Sequence, residues 1–392
     1  MTNPPKILIV DDEPFNVDYL EQELEESDFE IISAANGREA LEKVQTEVPD
    51  LILLDIMMPV MDGFEVLTRL GSNPITRDIP VIVISASNDL KSVVRGIQLG
   101  AEDYLPKPFE PILLHARVSS SLEKKRLHDL QQLYLKSLER EFEIAREIQQ
   151  SFLPAQLPNV NGWEIAAYFK AAREVAGDFY DAFLLPNDQL VMNVGDVCGK
   201  GVGAAMFMTL FRSLIRAAAT TNFLANLKDG QVLPPAQRLK QIISFTNNYI
   251  AETHEDASIF ATIFIGLLDL QSGTLTYINC GNEPPLLLRK DGSMIELPPT
   301  GPVIGLFPDI EFTSMEIAIE KEDILLAFTD GISDTINGEK SSFGRERLIK
   351  ILAGCEPSCS LLLQKIAEQA NQFAGDTEQF DDITLLAVKR NL

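Results

Sequence analysis

Histidine and cysteine are scarce. Only three His (His115, His128, His254) and four Cys (Cys198, Cys280, Cys355, Cys359) occur in 392 residues; the Cys lack metal-ligand spacing with His, and no His lies in a motif. Zinc sites built on nitrogen and sulfur donors are thereby excluded, and Ser-His-Asp or Cys-His catalysis fits poorly. The thiols read as reduced, as in a cytoplasmic protein. Long apolar runs are also missing. The longest, such as ATIFIGLL at 261–268, is strand-sized, well short of the roughly 18–20 residues of a membrane span. TNPPK passes directly into ILIVDD, so no signal peptide is expected. Positive charge is in deficit, with 33 Lys and Arg against 58 Asp and Glu and a net charge of −25. That balance argues against nucleic acid and anionic membrane surfaces as partners. A DNA-binding regulator would need a basic recognition helix, which the chain lacks.

What the chain does have is acid at the ends of apolar runs. Asp178 in VAGDFYD, Asp196 in NVGDVCGKG, Asp330 in LLAFTDG and Asp381 in QFDDITLLAV each adjoin a small residue or a second acid. A buried carboxylate needs a counter-charge. Hard divalent cations take oxygen ligands, so an Asp cluster without His or Cys points to Mg²⁺ or Mn²⁺ rather than zinc. These acids lie far apart in sequence, and only a fold can gather them.

Residues 1–120 alternate strand and helix patterns. KILIV, FEIISAA, DLILLD, VIVIS and EDYLP read as strands, with helices between them. Continuous apolar strands in βα units imply a doubly wound parallel sheet covered on both faces. Ligands in such folds sit beyond the carboxyl ends of the strands. Asp11 and Asp12, Asp55, Ser85 and Lys107 stand there. The segment resembles the receiver domain of two-component response regulators, a flavodoxin-like fold. The resemblance implies that Asp55 accepts a phosphoryl group from a histidine kinase, and that Asp11, Asp12 and Asp55 hold one Mg²⁺. It further implies that Ser85 and Lys107 meet the phosphoryl group, that Tyr104 is the aromatic switch, and that Lys107-Pro108 is a cis peptide.

Residues 118–153 read as one helix without Gly or Pro, with the linker proper at 121–153. Leu127, Leu130, Tyr134, Ser137, Glu141, Ile144, Ile148 and Ser151 form a 3/4-spaced seam. Leu133, Leu138, Phe142, Ala145 and Phe152 widen it. This pattern fits a parallel coiled coil joining a homodimer, or a connector helix docked on the next domain.

Residues 154–392 mix short strands with helical blocks around 202–220, 236–252 and 358–373, which implies an α+β layered β-sandwich. The polar stretch 220–237 reads as a surface loop. GDFYD, GDVCGKG, FTDGISD and DDITLL resemble the metal-dependent protein phosphatases (PPM, type 2C), in the bacterial sporulation and stress-response branch. EIAREIQQSFLP is similar to the linker that precedes such domains. The resemblance implies two Mg²⁺ or Mn²⁺ ions held by Asp178, Asp196, the Val197 carbonyl, Asp330 and Asp381, with Asp382 behind them. Asp181 and Asp334 are weaker candidates that also read as surface or capping acids. The chain departs from the pattern at Asn282, where relatives often carry His, and at Ala176, where glycine is common. No residue must be the phosphate-binding Arg of eukaryotic relatives. Arg173 and Lys200 are candidates that read equally as surface charges. Gly199-Lys200-Gly201 is not a nucleotide P-loop, since its spacing is wrong and Gly201 replaces Ser or Thr. The expectation is a response regulator whose output dephosphorylates phosphoserine or phosphothreonine on an anti-sigma factor antagonist. The competing expectation is a non-enzymatic scaffold with a phosphatase-like binding domain.

Overall fold

The computed structural model describes residues 4–25, 28–86, 90–108, 110–186, 188–228, 233–354 and 358–391. The chain divides into two compact units, Met1–Glu139 and Arg140–Leu392.

The first unit is built on β1 (Lys6–Val10), α1 (Pro14–Leu24), β2 (Glu30–Ala34), α2 (Gly37–Glu47), β3 (Leu51–Asp55), α3 (Gly63–Ser72), β4 (Val81–Ala86), α4 (Leu90–Gln98) and β5 (Asp103–Lys107). Its sheet is parallel throughout, in the order β2-β1-β3-β4-β5, the flavodoxin-like order. Alternation along β1 shows why its strands read as continuous apolar runs. Leu8 and Val10 face one core with Ile52 and Leu54, while Ile7 and Ile9 face the other with Leu51 and Leu53. Both faces of the central strands β1 and β3 are buried, so apart from Lys6 at the start of β1 their positions are apolar until Asp55 ends β3. Side-chain caps fix the helix starts: Asn36 accepts from the N–H groups of Arg38 and Glu39, and Asp62 accepts from that of Glu65.

Helix α5 (Pro111–Phe152) runs for 42 residues. The expected helix at 118–153 is thus extended at its N-terminal end. Leu114 and Val118 are buried in the first unit's core, and no Gly or Pro interrupts the chain between them and Phe152.

The second unit holds β6 (Trp163–Lys170), β7 (Asp178–Leu185), β8 (Gln189–Val197), α6 (Val202–Lys228), α7 (Pro235–Thr253), β9 (Ala261–Asp269), β10 (Thr274–Cys280), β11 (Leu286–Leu288), β12 (Met294–Glu296), β13 (Met315–Ala318), β14 (Ile324–Phe328), α8 (Asp330–Ser333), α9 (Arg345–Ala353), α10 (Cys359–Ala374) and β15 (Ile383–Arg390). Two antiparallel sheets form, in the orders β13-β10-β9-β8-β7 and β12-β11-β14-β15-β6. Leu190, Met192, Val194 and Phe264 of the first pack against Leu287, Leu325, Leu386 and Val388 of the second. Helices α6 and α7 cover the outer face of one sheet, and α9 and α10 that of the other.

Two sequence expectations are corrected here. The stretch 220–237 is not a loop in its first part, because α6 continues to Lys228 and α7 begins at Pro235; 229–232 lie outside the described residues. Polar content suggested a loop, but TTNFLANLK has no Gly or Pro to stop a helix. Within α6, Val202–Thr221 is long and apolar enough to cross a membrane, with a mean hydropathy of 1.3. Here Met208, Phe211 and Ile215 instead pack into the core under α7 and the sheet.

Candidate functional sites

In the receiver-like unit, the strand ends deliver the expected residues to one place. Among the described residues, Asp11, Asp12 and Asp55 are the acids whose ligand atoms all lie within 4.8 Å of one another. Lys107 at the end of β5 bridges them, with Nζ 2.8 Å from Asp11 Oδ2 and 3.2 Å from Asp55 Oδ1. Asn16 and the Glu13 N–H orient Asp11. Burial raises the Asp55 carboxyl, against the opposing pull of Lys107. Burial opposes the charge on Lys107, but its bonds to Asp11 and Asp55 raise its pKa nonetheless. Ser85 Oγ is buried at the end of β4 with no hydrogen-bond partner, a cost that an incoming oxygen would relieve. This orphan hydroxyl and the all-oxygen donor set fit one hard cation such as Mg²⁺ beside a phosphoryl acceptor. Tyr104 lies at the surface with the Arg117 guanidinium over its ring, and Lys107-Pro108 is cis.

In the second unit the acids come from both sheets. Asp178 and Asp196 are direct cross-strand partners on β7 and β8, a pairing that like charges disfavour. Thr329 and Thr384, at the adjoining ends of β14 and β15, donate their hydroxyls to Asp178 Oδ2 at 2.6 and 2.7 Å. These bonds tie one sheet to the other at the acid edge. Asp330 opens α8 and Asp381 precedes β15. Burial raises the Asp178 carboxyl well above its usual range, with Asp196 and Asp382 adding to the effect. Asp196 is pushed up to about 7 by burial first, then by the charges of Asp330, Asp381 and Asp382. Asp330 is raised by burial and by Asp381. Burial raises Asp382 too, and its two oxygens accept the N–H groups of Ala172 and Gly177, both at 2.7 Å.

Glycine is required where this edge closes. A Cβ at Gly177 would stand 2.9 Å from the Val197 carbonyl and 3.5 Å from Asp196 Oδ1, filling the cradle between them. One at Gly331 would meet the Asp382 carbonyl at 1.8 Å. These acids form no group as tight as the receiver cluster among the described residues. The oxygen-only donors and the cradle nevertheless fit hard divalent cations.

Asn282, where relatives often have His, is buried and structural. Its amide donates to the carbonyls of Glu283 and Phe328, the latter two residues before Asp330. Asp181 is fully buried and paired with Arg212 and Arg216 of α6 at 3.1 Å. Asp334 is exposed and caps α8 through its N–H to the Asp330 carbonyl. Arg173 is exposed, whereas Lys200 reaches Asp381 at 3.1 Å. Among the described cysteines, Cys198, Cys280 and Cys359 are free thiols, and burial pushes Cys359 up to about 12. Cys355 lies outside the described residues.

Sequence reasoning missed Gln149. Near the end of α5 it is buried, and its side chain both donates to the Ala176 carbonyl at 2.7 Å and accepts the Ala176 N–H at 3.0 Å. It therefore grips the backbone two residues before Asp178. The only signal was a polar residue inside EIQQSFLP, indistinguishable from its exposed neighbour Gln150.

Comparison with known proteins agrees with this architecture. Residues 186–391 match the family described as Stage II sporulation protein E (SpoIIE), and residues 7–119 match the response regulator receiver domain. Protein IcfG of Synechocystis sp. is 41% identical over 268 residues, covering 64% of this chain and 42% of IcfG. Phosphoserine phosphatase RsbU of Bacillus subtilis is 26% identical over 275 residues, covering 69% of this chain and 75% of RsbU. The chain spans less than half the length of IcfG, and half that of the Bacillus subtilis regulatory protein PhoP, which it matches at 42% identity over 31% of its own length. The SiaA-PP2C domain of Pseudomonas aeruginosa shares the fold, with a TM-score of 0.55 at 20% identity, over 65% of this chain and 98% of that domain.

Two predictions follow from this geometry. The folded Asp196 carboxyl titrates near 7 against a usual value of 3.8, so the folded chain holds the extra proton between those limits. Its contribution to stability is then present at low pH and lost as pH rises towards 7. Chemical denaturation of the chelated chain at stepped pH should show that decline, and Asp196→Asn should flatten it. Gln149→Leu strands both Ala176 backbone groups, each costing about 1–3 kcal/mol. Thermal melts should register the loss, whereas Gln150→Leu, at an exposed site, should change little.

Proposed function

Since the chain belongs to the Stage II sporulation protein E (SpoIIE) family and carries a receiver domain before its PP2C-type phosphatase domain, we propose that it is a phosphorylation-controlled protein phosphatase. Its substrate would be a phosphoserine or phosphothreonine monoester on a protein. The carrying observation is the convergence of Asp178, Asp196, Asp330 and Asp381 on one edge of the sandwich, beside the glycine cradle at Gly177.

Asp178, Asp196 and the Val197 carbonyl would hold one ion, and Asp196, Asp330 and Asp381 the other. Two Mg²⁺ or Mn²⁺ ions, when bound there, supply the charge that clamps a phosphoryl group and lowers the pKa of a water at neutral pH. No His base is then required, in keeping with a site edge built from acids. Thr329 and Thr384 fix the Asp178 carboxylate, and hydrogen bonds to a charged group of this kind contribute about 1.5–3 kcal/mol each. Asp382 anchors the loop at Ala172 and Gly177, which sets the height of the cradle. The family resemblance favours an anti-sigma factor antagonist as substrate, and RsbU is itself named a phosphoserine phosphatase.

Control would enter at Asp55, phosphorylated by a histidine kinase with one Mg²⁺ held by Asp11, Asp12 and Asp55. Helix α5 would carry the signal as half of a parallel dimeric coiled coil. Leu127, Leu130, Tyr134, Ile144 and Ile148 on its seam are 48–63% exposed, and burying a Leu or Ile fully is worth about 1.5–3 kcal/mol. A second copy offers the same stripe in register. Ser137 and Glu141 interrupt the seam, which suits a helix pair that must change packing.

Asp196→Asn should lower Mn²⁺-dependent hydrolysis of an aryl phosphate and of a phosphoserine protein by about a hundredfold or more with the fold intact by circular dichroism. Full turnover in that variant would overturn the assignment of Asp196 as a metal ligand, and no turnover in the unaltered chain would favour the scaffold reading. Asp55→Ala should take up no phosphoryl group from acetyl phosphate, as read by mass spectrometry. Glutamate at Leu130, Leu138 and Ile148 together should give monomers by light scattering and uncouple hydrolysis from Asp55. An unaltered chain that is monomeric at micromolar concentration yet still regulated would sink the dimer.

A further inference from the structure

The turn between β8 and α6 carries a cation into the acid edge. Gly199 and Gly201 both adopt left-handed backbone, with φ of 96° and 77°, and both face open space. Glycine there is required by conformation rather than by crowding. The result is a tight turn that projects Lys200. Its Nζ donates to the Phe380 carbonyl at 2.8 Å, pairs with Asp381 Oδ2 at 3.1 Å, and sits 3.7 Å above the Phe380 ring. Three contacts on two adjacent residues define a built seat for the ammonium. The residue remains exposed, but its ammonium is held by all three.

Asp381 is a proposed ligand of the second ion, and this inference rests on that reading. We propose that Lys200 is the resident counter-cation of the phosphatase site, competing with the divalent ion for the Asp381 carboxylate and so holding the site's metal affinity down. The exchange is between a singly charged ammonium and a doubly charged ion for the same oxygen. Of the three contacts of Lys200, only that to Asp381 Oδ2 would be given up, the two to Phe380 keeping the ammonium close by. Removing the ammonium charge deepens the negative field of Asp196, Asp330 and Asp381 and removes the competitor. A purely structural clip predicts the reverse, since loss of the clip would loosen Asp381 and weaken metal binding.

The test measures metal binding directly. Full chain carrying Asp12→Asn, which silences the receiver cluster, is titrated with Mn²⁺, and free Mn²⁺ is followed by electron paramagnetic resonance. Lys200→Gln keeps an amide that can donate to the Phe380 carbonyl while removing the charge. It should tighten binding roughly tenfold, the scale of a unit charge acting on a divalent ion a few ångströms away in well-screened surroundings. Lys200→Arg, which keeps the charge, should stay close to the unaltered chain. Unchanged or weaker Mn²⁺ binding in Lys200→Gln, with Asp196→Asn abolishing binding, would overturn the role of Lys200 alone. Binding that is indifferent to Asp196→Asn would overturn the metal reading and the role of Lys200 with it.

Discussion

Mutual repulsion among carboxylates governs the acid edge of the second unit. Asp178 and Asp196 stand opposite each other on neighbouring strands, where like charges destabilise a sheet. Asp330 and Asp381 are brought up from the other sheet, and each raises the cost of ionising Asp196. A fold tolerates this only if the surrounding groups hold the acids against their own repulsion. Thr329 and Thr384 do so for Asp178, and the backbone around Gly177 is pinned by Asp382 from one side and by Gln149 from the other. The strain is local, and hard cations are its natural relief.

The two units meet the same electrostatic problem with the same kind of answer. In the receiver domain, Lys107 spans Asp11 and Asp55; in the phosphatase domain, Lys200 sits on Asp381. Each lysine reaches its acids from a neighbouring loop or strand end, and a flexible ammonium with rotatable donors suits a carboxylate that must exchange partners. The placement differs in one respect. Lys107 bridges two acids at a site with an unpartnered Ser85 hydroxyl. Lys200 contacts one acid and an exposed aromatic ring at the rim.

Helix α5 links chemistry at two scales. Its first turns belong to the receiver core through Leu114 and Val118, and its last turns carry Gln149 to Ala176. Between them lies a stripe of exposed Leu, Ile and Tyr. Its length is cooperative, since each further residue fixed in helical geometry adds a backbone hydrogen bond.

Much of this was readable from residue order alone. The parallel sheet of the receiver followed from apolar strands buried on both faces. The acids Asp11, Asp12, Asp55, Asp178, Asp196, Asp330 and Asp381 stood out because they close apolar runs, where a buried carboxylate is costly without a partner. The long helix was legible from its lack of Gly and Pro, although its N-terminal limit was not, since nothing in the sequence marks where a receiver helix becomes a linker. What tertiary structure decided were the partnerships. Asp181 lies three residues from Asp178 on the same strand and pairs with Arg212 and Arg216 instead. Gln149 and Gln150 are identical neighbours, and only one is buried. Lys200 reads as a surface charge until the turn at Gly199 and Gly201 delivers it to Asp381. Sequence determines which groups are available and on which side of a strand or helix they fall, because those periodicities are local. Which group meets which is set by how distant segments pack, and hydrogen bonds and ion pairs between residues tens to hundreds of positions apart leave no local trace.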